Sequence, residues 1–212
     1  MNNYFITGTG TDVGKTLVAA ILCEALHADY WKPVQAGYAN GTDSQWVESM
    51  MTNSATTVHP ETYVLKFPGS PHIAAAHEEV EISLKHILES KPATKNNLVI
   101  EGSGGLMVPL NKKEFVIDLI KELKATVIIV SRNYLGSINH SLLTGRMLKE
   151  NNVKVMGWVF NDEYLDYENE IVEWSGFPWI ASVRKLEHID RGIIHSLSIK
   201  MKEHIQIMQV NQ

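Results

Sequence analysis

The sequence predicts an α/β fold of three layers: a mostly parallel central sheet with helices on both faces. Three observations carry this. Short, nearly all-apolar runs alternate with longer helical patterns along the chain. Strands of that kind are buried on both faces, as in parallel sheets. Each unusual polar motif follows directly on one of these runs, and open α/β sheets gather their ligands at strand carboxyl ends. Finally, 212 residues, 44% hydrophobic and 20% charged, suffice for one substantial core. No linker-like segment divides them, so 1–212 reads as a single domain.

Taken in order, YFIT (4–7) is the first strand and TLVAAILCEALH (16–27) the first helix. YWKPV (30–34), NLVIEG (97–102), TVIIVS (126–131), VMGWVF (155–160) and WIASV (179–183) are the further strands. Helical patterns fill 44–51, 83–90, 115–124, 138–150, 164–175 and 192–206. Residues 36–80, rich in Gly, Thr, Ser, Pro and His, read as loops with short helices inside the same domain.

Composition excludes several classes. A net charge of -5 without a long run of one sign is not the footprint of a nucleic-acid binder. No apolar stretch approaches the ~18 residues of a membrane span. Met1 leads through two asparagines straight into a strand-like run, without a secretory leader pattern. The expectation is a cytoplasmic protein that binds neither membrane nor nucleic acid. The single cysteine, Cys23, lies in an apolar helical run and reads as a small core residue.

The first chemical motif is TGTGTDVGKT (7–16), between the first strand and the first helix. Strand, glycine loop, Lys-Thr and apolar helix make the context of a phosphate-binding P-loop. Glycines let backbone N–H groups turn inward around phosphate oxygens, and the helix start adds its dipole and unpaired amides. Thr9, Gly10, Thr11, Asp12, Val13, Gly14, Lys15, Thr16 and Leu17 are the expected nucleotide-binding residues. Lys15 supplies charge at the β- and γ-phosphates, and Thr16 a hydroxyl for Mg²⁺. The usual spacing is met with Thr9 in place of the first glycine. The fold is therefore expected to be of the P-loop NTPase type; the loop by itself says nucleotide and not which reaction.

Further motifs choose the reaction. WKPVQAG (31–37), GTDSQW (41–46), SPHIAAAHE (70–78), EGSGGLMVPL (101–110), YLGSINHSLLT (134–144) and GWVFND (157–162) accompany the P-loop. From Tyr4 to Asp162 the chain resembles the dethiobiotin synthetase family. The resemblance implies an ATP- and Mg²⁺-dependent ligase of biotin biosynthesis. It would close a cyclic urea on 7,8-diaminopelargonate with CO₂, through a carbamate and a carbamic–phosphoric anhydride, releasing ADP and phosphate.

The residues suit that chemistry. Carbamate formation needs a neutral amine, and nearby cations both disfavour the ammonium and stabilise the carbamate. Lys32 is placed for this, with Lys15 on the phosphate side. Mg²⁺ takes hard oxygens and one or two carboxylates. Thr16, Asp43 and Glu101 are the candidates, Glu101 from a strand's carboxyl end and Asp43 doubling as a helix N-cap. In Gly102–Gly105 (GSGG), close backbone approach to diamine or carbamate is expected from Ser103, Gly104 and Gly105. The resemblance implies a carbamate contact for Thr11, making Lys15, Lys32 and Thr11 the catalytic set. It also implies substrate contacts for Gln35 and His72, and for Gly136, Ser137 and Asn139, which the other subunit of a homodimer would supply. Asn161 would bond the nucleotide base. The family continues with a Gly-x-Ile-Pro-like segment beside the base. Here WIASVRKLEHI (179–189) stands, with Arg184 near the proline position. That leaves the base to other contacts or to a weaker preference for adenine.

Two other readings remain. A switch ATPase of the septum- or plasmid-positioning type shares the fold, and residues 192–208 with Lys200 and Lys202 would then be a membrane-binding amphipathic helix. An amide-forming enzyme with a glutamine-hydrolysing cysteine is disfavoured, because Cys23 sits inside the first helix.

Overall fold

The computed structural model describes residues 1–210. Its strands are β1 (Asn3–Gly8), β2 (Asp29–Trp31), β3 (Val34–Ala36), β4 (Val58–His59), β5 (Tyr63–Leu65), β6 (Leu98–Glu101), β7 (Thr126–Arg132), β8 (Val155–Asn161) and β9 (Trp179–Val183). The helices are α1 (Lys15–Leu26), α2 (Asp43–Met50), α3 (Pro71–His77), α4 (Leu84–Glu89), α5 (Val116–Leu123), α6 (Ser137–Glu150), α7 (Glu168–Ser175) and α8 (Arg191–Val210).

Seven strands form one sheet in the order β4-β2-β6-β1-β7-β8-β9, and every pair in it is parallel. Side chains alternate faces along each strand. Tyr4, Ile6, Val99, Ile128 and Val159 therefore join one core layer with α1 and α8. Phe5, Ile100, Val127, Ile129 and Phe160 join the opposite layer with α4, α5, α6 and α7. The three layers are as expected, and β1 lies at the centre, flanked by β6 and β7. The loop after β1 thus opens at the middle of the sheet, with Ile6 beside Glu101 and Gly8 beside Val130.

The expected strand 30–34 is two strands in two sheets. Pro33 has no N–H to give a ladder. Its carbonyl instead accepts from Thr62 and Tyr63 N–H, both at 3.0 Å, and β3 pairs with β5 in a separate two-stranded parallel sheet. Lys32 is left at the break between them. The segment read as loops with short helices therefore also holds β4 and β5. The helix expected over 164–175 begins only at Glu168; left-handed backbone at Asp162 (φ 69°) and Leu165 (φ 56°) holds the preceding turn out of it. Along α8, Ile194, Ser198, Met201 and Ile205 form a buried stripe, so its apolar face packs on the domain. Among the described residues no helix is long and apolar enough to cross a membrane.

Candidate functional site

A cavity of about 940 Å³ opens at the carboxyl ends of the strands. The loop after β1 contributes Thr11, Asp12, Gly14, Lys15, Thr16 and Leu17; the β2–β3 break contributes Lys32 and Gln35. Asp43 comes from α2, Glu101 ends β6, and Ser103 and Gly104 follow it. Arg132, Asn161, Asp162, Lys185, Leu186 and Ile189 wall the other end.

The loop is held in its curve from several sides. Thr9 N–H donates to Val130 O at 3.0 Å, and the Asn161 amide donates to Val13 O at 3.0 Å. Gly14 takes φ 97°, left-handed backbone favourable only to glycine, just before α1. Lys15 Nζ donates to Gly10 O at 2.8 Å, which folds the side chain back over the loop. Gly105 packs against the loop as well: a Cβ there would come within 3.1 Å of Gly8 O. Of the second glycine cluster, Ser103 and Gly104 face the cavity and Gly105 supports the loop from behind.

Beside the loop lies a buried charge cluster. Lys32, 6% exposed, donates to Glu101 Oε1 at 2.9 Å and to Asp43. Glu101, 1% exposed, also accepts from Thr16 Oγ1 at 2.9 Å and, on Oε2, from the Tyr30 hydroxyl at 2.8 Å. A buried carboxylate persists only when paired and hydrogen-bonded, and here both oxygens are engaged. Burial alone would push the Lys32 ammonium down, but the charges of Glu101 and Asp43 outweigh it and hold Lys32 above its ordinary value. Lys15 differs. Burial, opposed by Glu101 but helped by the charge of Lys32, lowers it to about 8. For Tyr30, burial and the charge of Glu101 raise the phenol well above its usual range, so it stays a donor.

The N-cap of α2 is Thr42, not Asp43. Thr42 and Gln45 form a reciprocal capping box. Asp43 is the first helical residue, so its carboxylate is free to meet Lys32. Gln35 supports this arrangement, accepting from Asp43 N–H at 3.2 Å while donating to Gly37 O at 2.8 Å. Ser103 Oγ donates to Val34 O at 2.8 Å. Thr11 faces Gly104, where a Cβ would lie 3.7 Å from its hydroxyl.

Not every expected residue converges. His72 lies on α3 one position beyond Pro71, which lines the cavity, whereas His72 does not. Gly136, Ser137 and Asn139 also stand apart from it. Gly136 caps α6 at φ 103°, Ser137 is buried against the Tyr167 hydroxyl at 2.7 Å, and Asn139 is exposed. Arg184 ion-pairs with Glu163 at 3.1 Å on the surface, leaving Leu186 and Ile189 as the apolar wall.

Three participants escaped the sequence reading. Arg132 and Asp162, at adjacent strand ends, form a two-pronged ion pair at 3.0 and 2.9 Å. Their position after apolar strands was the available signal. Tyr30 carried none, because an aromatic inside a strand reads as core.

As to a metal, no group of three or more His, Cys, Asp or Glu gathers among the described residues. Two carboxylates and a hydroxyl, from Asp43, Glu101 and Thr16, are the donor set that suits Mg²⁺, which keeps waters and phosphate oxygens as its other ligands.

Known proteins resemble this chain in sequence and in fold. A family model described as an AAA domain matches residues 2–192. The ATP-dependent dethiobiotin synthetase of Cytophaga hutchinsonii is 46% identical over 202 residues, 95% of this chain and 97% of that one. That of Christiangramia forsetii is 41% identical over 204 residues, 96% of this chain and 97% of that one. Among solved structures, the septum site-determining protein MinD of Pyrococcus horikoshii, complexed with Mg-ADP, superposes with a TM-score of 0.58 at 12% identity. That match covers 100% of this chain and 96% of the other, and at such identity it concerns the fold alone. With relatives this similar over nearly its whole length, the chain belongs to the family of ATP-dependent dethiobiotin synthetases.

Proposed function

We propose that the chain makes dethiobiotin from 7,8-diaminopelargonate, CO₂ and ATP in the cavity where the P-loop meets Lys32. The observation that carries this is the cluster of Lys32, Asp43 and Glu101 against Thr16. It sets a buried cation within the same cavity as the phosphate loop, where a carbamate must face a γ-phosphate.

In this reading Lys32 and Lys15 favour the neutral amine and stabilise the carbamate anion that forms when it adds to CO₂ with loss of a proton. A carbamate oxygen then attacks the γ-phosphorus and ADP leaves. Positioning and electrostatics dominate this step. Loop amides and the α1 N-terminus hold the phosphates, and Thr11 with the Ser103–Gly104 backbone orients the carbamate. The second amine attacks the carbonyl, the ring closes and phosphate departs. Mg²⁺, held by Thr16, Asp43 and Glu101, would offset charge on the phosphate oxygens. The Asn161 amide gives one N–H to Val13 O, leaving its oxygen and second N–H for the base beside Leu186 and Ile189.

Ser137, buried with its hydroxyl on Tyr167, holds the start of α6 in place, while Gly136 and Asn139 serve the substrate of a second copy, so the enzyme works as a homodimer. Exposed Leu135 (81%) beside them and Leu143 (61%) one turn beyond Asn139 support this. We place the enzyme in the cytoplasm. The test is a mass-spectrometric assay with the diamine, bicarbonate, Mg²⁺ and each of several nucleoside triphosphates. Dethiobiotin, ADP and phosphate are expected from ATP. No dethiobiotin with any triphosphate overturns the reading.

A further inference from the structure

We infer that Tyr30 is a positioning residue for the reaction, its hydroxyl fixing the Glu101 carboxylate so that one oxygen is presented to Thr16 and Lys32. The inference rests on the function proposed above. Tyr30 is fully buried on β2, beside β6. Its hydroxyl donates to Glu101 Oε2 at 2.8 Å, while Thr16 and Lys32 both donate to Oε1 at 2.9 Å. Without that donor the Glu101 carboxylate plane could turn about its last side-chain bond and move its free edge away from Thr16 and Lys32. One strong donor on the far oxygen opposes that turn and holds the plane so that the near oxygen faces the phosphate loop. Hydrogen bonds to a charged group are among the stronger ones inside a protein. The ring itself belongs to the core layer under α1, so only the hydroxyl reaches the charge cluster.

The distinction from a packing role is testable because Tyr30→Phe keeps the ring and removes the donor. Mn²⁺ binding, followed by its paramagnetic resonance signal with a non-hydrolysable ATP analogue present, should weaken about tenfold. Binding of the same analogue without metal should stay within twofold, which also reports a folded protein. In turnover, the Mg²⁺ concentration for half-maximal rate should rise by a similar factor. In a Glu101→Gln background, Tyr30→Phe should add little further loss, since the residue acts through that carboxylate. Superimposable metal titrations of wild type and Tyr30→Phe overturn the inference, as does an equal loss in both backgrounds. If wild type itself forms no dethiobiotin, the functional reading fails instead, and the metal-binding titration still judges Tyr30.

Discussion

At the scale of single residues, the two lysines have different partners although each lies in the same cavity. Lys15 folds over the phosphate loop, whereas Lys32 is clasped by Asp43 and Glu101. Lys15→Ala should therefore lose nucleotide binding and turnover together. Lys32→Ala should cut product formation at least a hundredfold while changing the ATP dissociation constant by less than about fivefold. Comparable losses in both would reassign Lys32 to the nucleotide. Away from the site, Glu24 is 4% exposed and ties α1 to the α2–β4 loop and α8. Burial pushes its carboxyl up, but bonds from Thr52, Asn53 and His195 outweigh this and hold it at about 2. A carboxyl held low stabilises above its unfolded value, and that stability drains away as pH falls through the folded one. Glu24→Gln should cost about 2–3 kcal/mol at pH 7. The gap to wild type should shrink to less than half by pH 3. Urea unfolding at the two pH values measures it, and a pH-independent gap refutes the ionic account. The P-loop, Lys32 and Glu101 were legible as residues because they stand at or just beyond strand ends, and Asp43 because it opens a helix. Tyr30 was not, because which buried aromatic reaches a carboxylate depends on its register against a distant strand.

At the scale of elements, the site is made by where strands stop. β2 ends at Trp31 because Pro33 cannot continue a ladder, and this break brings Lys32 to Glu101. Local chemistry likewise starts α2 at Asp43, since Thr42 and Gln45 satisfy the cap without it. The start of α1 depends on Gly14 in left-handed backbone, and a Cβ there would strike the Asn161 amide. Gly14→Ala should cost about 1–2 kcal/mol in backbone strain alone, lowering the melting temperature by about 3–6 °C. It should also raise the KM for ATP at least tenfold, because the loop amides lose their aim. Unchanged melting and KM would mean that the loop tolerates a side chain there. Six of the sheet's strands were visible as apolar runs. The two-residue β4 and the β3–β5 pair were not, because short strands are defined by their partners rather than by a periodicity of their own.

At the scale of the whole molecule, the seven-stranded parallel sheet and its two helical layers bring chain segments from residue 11 to residue 189 around one cavity. Gly136 and Asn139 stay outside it, which is the reason to expect a second copy. Leu143 stands one turn from Asn139 on the same face of α6. Leu143→Glu should yield a monomer in sedimentation and raise the KM for the diamine at least tenfold, with ATP binding intact. A dimer with wild-type kinetics would remove this face from the interface. The sequence by itself determined the α/β class, the phosphate loop and the polar motifs, because these are local: periodicity, glycine and proline geometry, and residue order along the chain. Only the tertiary structure decided that Tyr30 braces Glu101, that Gly105 backs the loop while Gly104 faces the cavity, and that Arg132 meets Asp162. Those contacts join residues far apart in the chain, and their geometry is set by sheet register and packing, which no single segment specifies.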